Sequence, residues 1–364
     1  MLVKSKTASQ VIGVIAHETG HISGGHLSRI RDALKASSAQ SILAYVLGGV
    51  AIIGGQGELG AAVIQGGQEI GKRNFLQYSR TQEGAADAAA MKYLESTGQS
   101  SRGLLEFFEI LGDQELLSAS RQDPYYRSHP LTQQRIQAVE DLVSRSANSN
   151  KPDSADFALR HKRMKAKLHA FLDAPTYTFR RYKESDHSIE SRYARAIAFY
   201  RRADLDNALP LIDGLIAEYP NDPYFHELKG QILFENGQNT QAIPSYRKAA
   251  ELDPGSSLLH RDLARVLIEA NDPTLLDESI ANLISSISLD RTDDSSWRQL
   301  AIAYGRQGKS AESSLALGEE ALLQGNSKNA LYHAERAEKL LPEGSRGWLQ
   351  ARDIQLAARS LKGD

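Results

Sequence analysis

Apolar positions in this chain recur at helical spacing. Val11, Ile12, Val14, Ile15 and Ile22 give the first segment apolar faces to bury, and Thr7 with Gln10 forms a Thr-x-x-Gln capping box ahead of them. A helix is therefore predicted from about Ser9 to Arg31, with Gly24-Gly25 as a point of interruption. A second helix carries Glu83-Gly84-Ala85-Ala86-Asp87 and continues to Ser96, where Gly98 is placed to end it. A third, amphipathic, is predicted from Arg102 to Ala119, with Leu104, Leu105, Phe107, Phe108, Leu111, Leu116 and Leu117 as its core face. Between the first two lies an uncharged, glycine-rich run, Ser41 to Gly55, shorter than the roughly 20 apolar residues that cross a bilayer. It reads as a pair of helices packed beside the first, as a surface from Ser41 to Gly71 that meets a membrane or membrane protein, or, at the extreme, as a span.

The second half has its own rhythm. Residues 146 to 155 are polar and read as a linker. A basic helix follows, with Arg160, Lys162, Arg163, Lys165 and Lys167 around a stripe of Phe157, Met164, Leu168 and Phe171; it is either a solvated face over packed residues or a contact with acidic lipid. Beyond Asp186 the small residues Ala196 and Ala208, with Pro220, recur as Gly230, Ala242 and Pro254, each 34 residues later, which is the tetratricopeptide period. A third copy holds Ala264, Leu283 and Asp290 with about three extra residues in its turn. Trp297, Leu300, Ala301 and Tyr304 mark the first helix of a fourth copy. Ala330, Ala334, Ala337 and Pro342 fit the second helix of a last one, capped by Gly344 to Leu361. Such helix pairs stack into an α-solenoid whose concave face binds peptides or proteins. The chain is thus mainly α and divides into residues 1–145, a linker and basic helix at 146–186, and repeats at 187–364.

Composition narrows the function. A length of 364 residues allows two domains with real cores. With 43 basic and 45 acidic side chains no overall field attracts nucleic acid, and no nucleic-acid partner is expected. The absence of cysteine excludes disulfides, thiolate metal sites and cysteine catalysis. The first residues contain no apolar run followed by a cleavage site, so the chain as given carries no secretory signal.

The densest chemistry is His17-Glu18-Thr19-Gly20-His21. On a helix the two imidazoles leave one face a turn apart and can share a metal ion, with Glu18 beside it to take a proton from water. A catalytic zinc needs a third protein ligand. The position six residues beyond the second histidine is Leu27, and His26 misses it by one. An acid on another helix meets the demand: Glu83 and Asp87 share a face, Glu83 to ligate and Asp87 to accept the outer N–H of a ligand histidine. Gly84, Ala85 and Ala86 are small enough to let that helix come close.

The His-Glu-x-x-His helix followed by Ser-Arg-x-x-Glu-x-x-Ala-Asp resembles the gluzincin family that contains the CAAX prenyl proteases and the HtpX-type and BepA-type proteases, over roughly residues 7 to 145. The resemblance implies one Zn2+ per chain held by His17, His21 and Glu83, with Glu18 as the proton carrier. Ser128-His129-Pro130, with Arg135 beyond, is similar to the family's His-Pro-x-x-x-x-Arg feature. By that likeness His129 is a reversible fourth ligand or an oxyanion donor; alternatively it caps the next helix while Arg135 pairs an acid. Joined to the repeats, the resemblance implies a periplasmic zinc endopeptidase in protein quality control, acting on misassembled outer-membrane or envelope proteins. The repeats would engage a protein partner such as an outer-membrane assembly complex. The rival is a non-proteolytic chaperone or scaffold with a plugged zinc site; membrane-associated proteolysis of the HtpX type ranks behind both. In the resembling family a signal peptide and a strand-bearing segment precede the zinc helix, whereas 16 residues precede His17, so a shortened amino end is expected.

Overall fold

A computed structural model describes residues 1–26, 29, 57–112, 125, 129 and 131–361. The run from Ser41 to Gly55, Leu116, Leu117, Ser128 and Pro130 lie outside them. Every regular element among the described residues is helical. None of these helices is long and apolar enough to cross a membrane. The chain divides into two compact units, Met1–Lys165 and Ala166–Asp364.

The first unit is built on α1 (Ala8–Ser23), α2 (Gly57–Ser96), α3 (Arg102–Gly112) and α4 (Gln133–Arg145). α1 starts as expected, with the Thr7 side chain accepting from Gln10 N–H. Gln10 Oε1 in turn accepts from Lys6 N–H, at 2.7 Å. Two further N–H groups of the first turn, those of Ala8 and Ser9, are taken by the Asp153 carboxylate at 2.9 and 3.0 Å, satisfying donors that a helix start leaves open. Lys165 donates to the Ser5 carbonyl and His161 meets the Ser5 hydroxyl, fastening the same entry. α1 ends at Ser23, short of the expected Arg31, because Gly24 caps it and Gly25 turns left-handed at φ 63°.

Leu104, Leu105, Phe107, Phe108 and Leu111 of α3 form one core with Val14 of α1, Ala90, Met91 and Leu94 of α2, and Val139 and Val143 of α4. Two residues expected to be buried are not: Ile15 and Ile22 are 56% and 71% exposed, because the face of α1 that carries them looks away from this core. α3 is described to Gly112, so the rest of its predicted extent lies outside the described residues.

Ser146–Ser154 is irregular, and α5 (Ala155–Leu172) follows. Its basic side chains are not uniformly solvated: Lys165 is committed to Ser5 and Lys167 to Glu227, at 3.1 Å. Its buried positions are His161, Ala166, His169 and Ala170, whereas Phe157 is exposed, so the packed face is rotated from the predicted stripe toward the small residues.

The second unit opens with the end of α5 and α6 (Pro175–Arg181), then antiparallel pairs. These are α7 (Ile189–Tyr200) with α8 (Leu205–Glu218), α9 (Pro223–Glu235) with α10 (Asn239–Leu252), and α11 (Ser257–Glu269) with α12 (Leu276–Leu289). α13 (Asp294–Arg306), α14 (Ser310–Leu323), α15 (Ser327–Leu340) and α16 (Arg346–Ser360) close the stack. The small residues of the 34-residue pattern are the crossing points: Ala196, Ala208, Ala242, Ala264, Ala330, Ala334 and Ala337 are all fully buried. The three extra residues of the third copy form a 3-10 turn, Pro273–Leu275, started by the Asp272 side chain. Pro210 and Pro244 lie inside α8 and α10, one repeat apart.

Candidate metal centre

α1 brings His17 and His21 onto one buried face, 0% and 8% exposed, with their Nε2 atoms 3.0 Å apart. α2 crosses directly against them. At the crossing Gly20 has no space for a side chain, since a Cβ there would lie 2.7 Å from the carbonyl oxygen of Ala86. The close approach thus depends on Gly20 and Ala86; Gly84 and Ala85, expected to form it, are exposed, and a Cβ on Gly84 would meet nothing. Glu83 faces both histidines, Oε2 at 3.4 Å from His17 Nε2 and Oε1 at 3.4 Å from His21 Nε2.

These separations fit a shared cation. Ligand bonds of about 2.0–2.1 Å at tetrahedral angles put donor atoms roughly 3.4 Å apart, and two imidazoles with one carboxylate are a donor set suited to zinc. One ligand atom each from His17, His21, Glu83 and His129 all fall within 4.8 Å of one another.

Around them the charges are closely paired. Asp87 Oδ1 is 2.8 Å from Nδ1 of His17, the nitrogen that faces away from the cluster. Arg135, 5% exposed on α4, spans both acids: Nη1 reaches Glu83 Oε2 at 2.9 Å, Nε reaches Asp87 Oδ2 at 2.8 Å, and Nη2 reaches Asp87 Oδ1 at 2.9 Å. Its guanidinium lies over the Phe108 ring at 5.1 Å. Burial opposes charge on Glu83, but His129, His17, His21 and Arg135 outweigh it and hold the carboxyl far below its ordinary range. Burial likewise opposes charge on His17, yet Asp87 and then Glu83 raise its pKa to about 9. Burial would raise the Asp87 pKa, but His17 and Arg135 hold it down.

His129 completes the group. Its Nδ1 is 3.2 Å from both oxygens of Glu83 and its Nε2 is 3.4 Å from Glu18 Oε1. The Tyr125 ring stacks on it at 4.6 Å and 29°. Glu18 is the most open member, its side chain 40% exposed, so it can meet a substrate or water from outside. All seven residues singled out from the sequence, His17, Glu18, His21, Glu83, Asp87, His129 and Arg135, are therefore in one cluster. Tyr125 and His26 were missed as members. His26 Nδ1 lies 3.0 Å from Nδ1 of His21, and the five-residue step between them, off the helical register, gave no signal of that contact.

A helical histidine–carboxylate centre with an open acid beside it, followed by stacked helix pairs, defines a metalloprotease carrying a repeat domain. Residues 1–143 match peptidase family M48 and residues 193–257 match the tetratricopeptide repeat, so the chain carries both domains. It is similar to the putative beta-barrel assembly-enhancing protease of Vibrio cholerae, 25% identical over 95% of this chain and 71% of that one. It is also similar to the beta-barrel assembly-enhancing protease of Escherichia coli, 22% identical over 94% of this chain and 69% of that one. The metalloprotease LoiP of Escherichia coli matches at 29% identity over 39% of this chain and 53% of its own.

Proposed function

We propose that the chain is a zinc endopeptidase of envelope protein quality control, resident in the periplasm, whose clients are misassembled β-barrel or other envelope proteins recruited by the repeats. His17, His21 and Glu83 are the residues that would hold the zinc. When bound, zinc would polarise the scissile carbonyl and ease deprotonation of the attacking water. Glu18 takes the proton from that water and carries it to the leaving amine, a role for which its exposure beside the buried cluster suits it. His129, 3.4 Å from Glu18, donates to the developing oxyanion. Asp87 orients His17, and Arg135 fixes Glu83 and Asp87 together. The observation that carries this reading is the convergence of two imidazole Nε2 atoms and a carboxylate at 3.0 and 3.4 Å, with an open glutamate next to them. The β-barrel clients, and an outer-membrane assembly complex as partner of the repeats, are inferred from the names of the similar proteins.

The test is degradation of an unfolded envelope protein by full-length, zinc-loaded protein and its Glu18→Gln variant. The variant is expected to keep its zinc and lose roughly 10²–10⁴-fold in rate. Equal rates would overturn the reading. A second reading, a chaperone or scaffold with a plugged site, draws on His129, which bridges Glu83 and Glu18 and so occupies the approach to both. Under it, Glu18→Gln supports growth of a deletion strain as well as the unmodified chain does.

A further inference from the structure

The geometry points to His26 as the residue that fixes the tautomer of His21 and so frees its Nε2 for a metal, an inference that rests on the metalloprotease reading above. A neutral imidazole carries one proton. If Nε2 gives its lone pair to a metal, the proton is on Nδ1, and a buried N–H needs an acceptor. For His17 the facing atom is Oδ1 of Asp87, at 2.8 Å. For His21 the facing atom is Nδ1 of His26, at 3.0 Å, with both residues 8% exposed and their rings 84° apart.

Two arrangements of the shared proton are possible, and one of them ligates. With its own proton on Nε2, His26 accepts at Nδ1, and His21 presents a bare Nε2 to the cluster. With its proton on Nδ1, His26 donates to His21. The His21 proton then moves to Nε2, toward His17 Nε2 at 3.0 Å, and blocks the ion's place. His26 is itself no ligand: it meets the far side of the His21 ring, and the converging atoms belong to His17, His21, Glu83 and His129. It is a positioning residue.

The turn after α1 is shaped for this seat. The helix ends at Ser23 and the backbone turns left-handed at Gly25, after which His26 meets His21 of the last helical turn. A Cβ on Gly24 would stand 2.3 Å from His26 Nε2.

The experiment compares zinc affinity, by competition with a chromophoric chelator, for the full chain and for His26→Asn and His26→Leu. Asparagine keeps an acceptor where Nδ1 stood; leucine fills the space without one. His26→Leu is expected to weaken zinc binding roughly 10–100-fold and His26→Asn by no more than about threefold. Histidine 15N spectra of the zinc-loaded, unsubstituted chain should show His26 protonated on Nε2. Unchanged affinity in His26→Leu, equal weakening in both variants, or a His26 proton on Nδ1 would each overturn the inference. If His26→Leu does not fold, the asparagine variant and the spectrum still decide. Failure of the unsubstituted chain to bind zinc would overturn the metalloprotease reading itself, which separates the two.

Discussion

Arg135 joins Glu83 and Asp87, which hold opposite sides of the same histidine. Three contacts of 2.8–2.9 Å from one planar guanidinium tie two buried carboxylates to a single positive charge. Arg135→Ala should therefore leave an uncompensated buried charge and destabilise the first unit by about 3–5 kcal/mol, read from urea unfolding without zinc. Arg135→Lys should recover little of this, because an ammonium cannot reach both acids in the same geometry. The histidine adds a pH dependence. Without metal, His17 holds its extra proton up to about pH 9. Zinc requires the neutral ring and displaces that proton. Apparent zinc affinity should fall by up to roughly tenfold for each pH unit below about 9 and level off above it, and zinc uptake should release protons into a weakly buffered solution. Affinity independent of pH between 7 and 9 would contradict the pairing of His17 with Asp87.

Between elements, the distance from α1 to α2 decides whether a carboxylate reaches the histidines. Gly20→Ala puts a methyl against the Ala86 carbonyl and should cost about 1–3 kcal/mol while weakening zinc binding. Gly84→Ala, in open space on an exposed helix face, should instead stabilise by up to about 1 kcal/mol and leave zinc binding alone. Thermal melts and zinc titrations of the two variants check this contrast. It also marks where the sequence was legible. Spacing alone put His17 with His21 and Glu83 with Asp87 on common faces, because helical periodicity is local, and the 34-residue recurrence of small residues reported the helix pairs for the same reason. Which small residue sits at a crossing depends on how two helices are rotated against each other. That hid the role of Gly20 and misassigned it to Gly84 and Ala85. Ile15 and Ile22 misled in the same way: their spacing is helical, but only neighbours distant in sequence decide which side of α1 is covered.

At the scale of the whole molecule the two units are stabilised by different means. The first buries ionised groups around its centre; the second repeats alanine crossings, with stability passed between neighbouring helix pairs. Near its end Ile354 of α16 packs with Ala321, Ala330 and Ala334. Ile354→Ala should cost about 2–4 kcal/mol, and the loss of protection in hydrogen exchange should be greatest in α14 to α16 and fade toward α9. A graded change confined to that end is the expected outcome; uniform loss along the stack would count against nearest-neighbour stabilisation. In the first unit, the start of α1 is finished by Asp153, 145 residues after Ala8. The helix that presents both imidazoles is thus completed from far along the sequence, by Glu83, then Arg135, and last by the aspartate that closes its first turn. Loss of the Asp153 contact leaves two donors of that turn open and loosens the helix under the histidines without touching any member of the cluster.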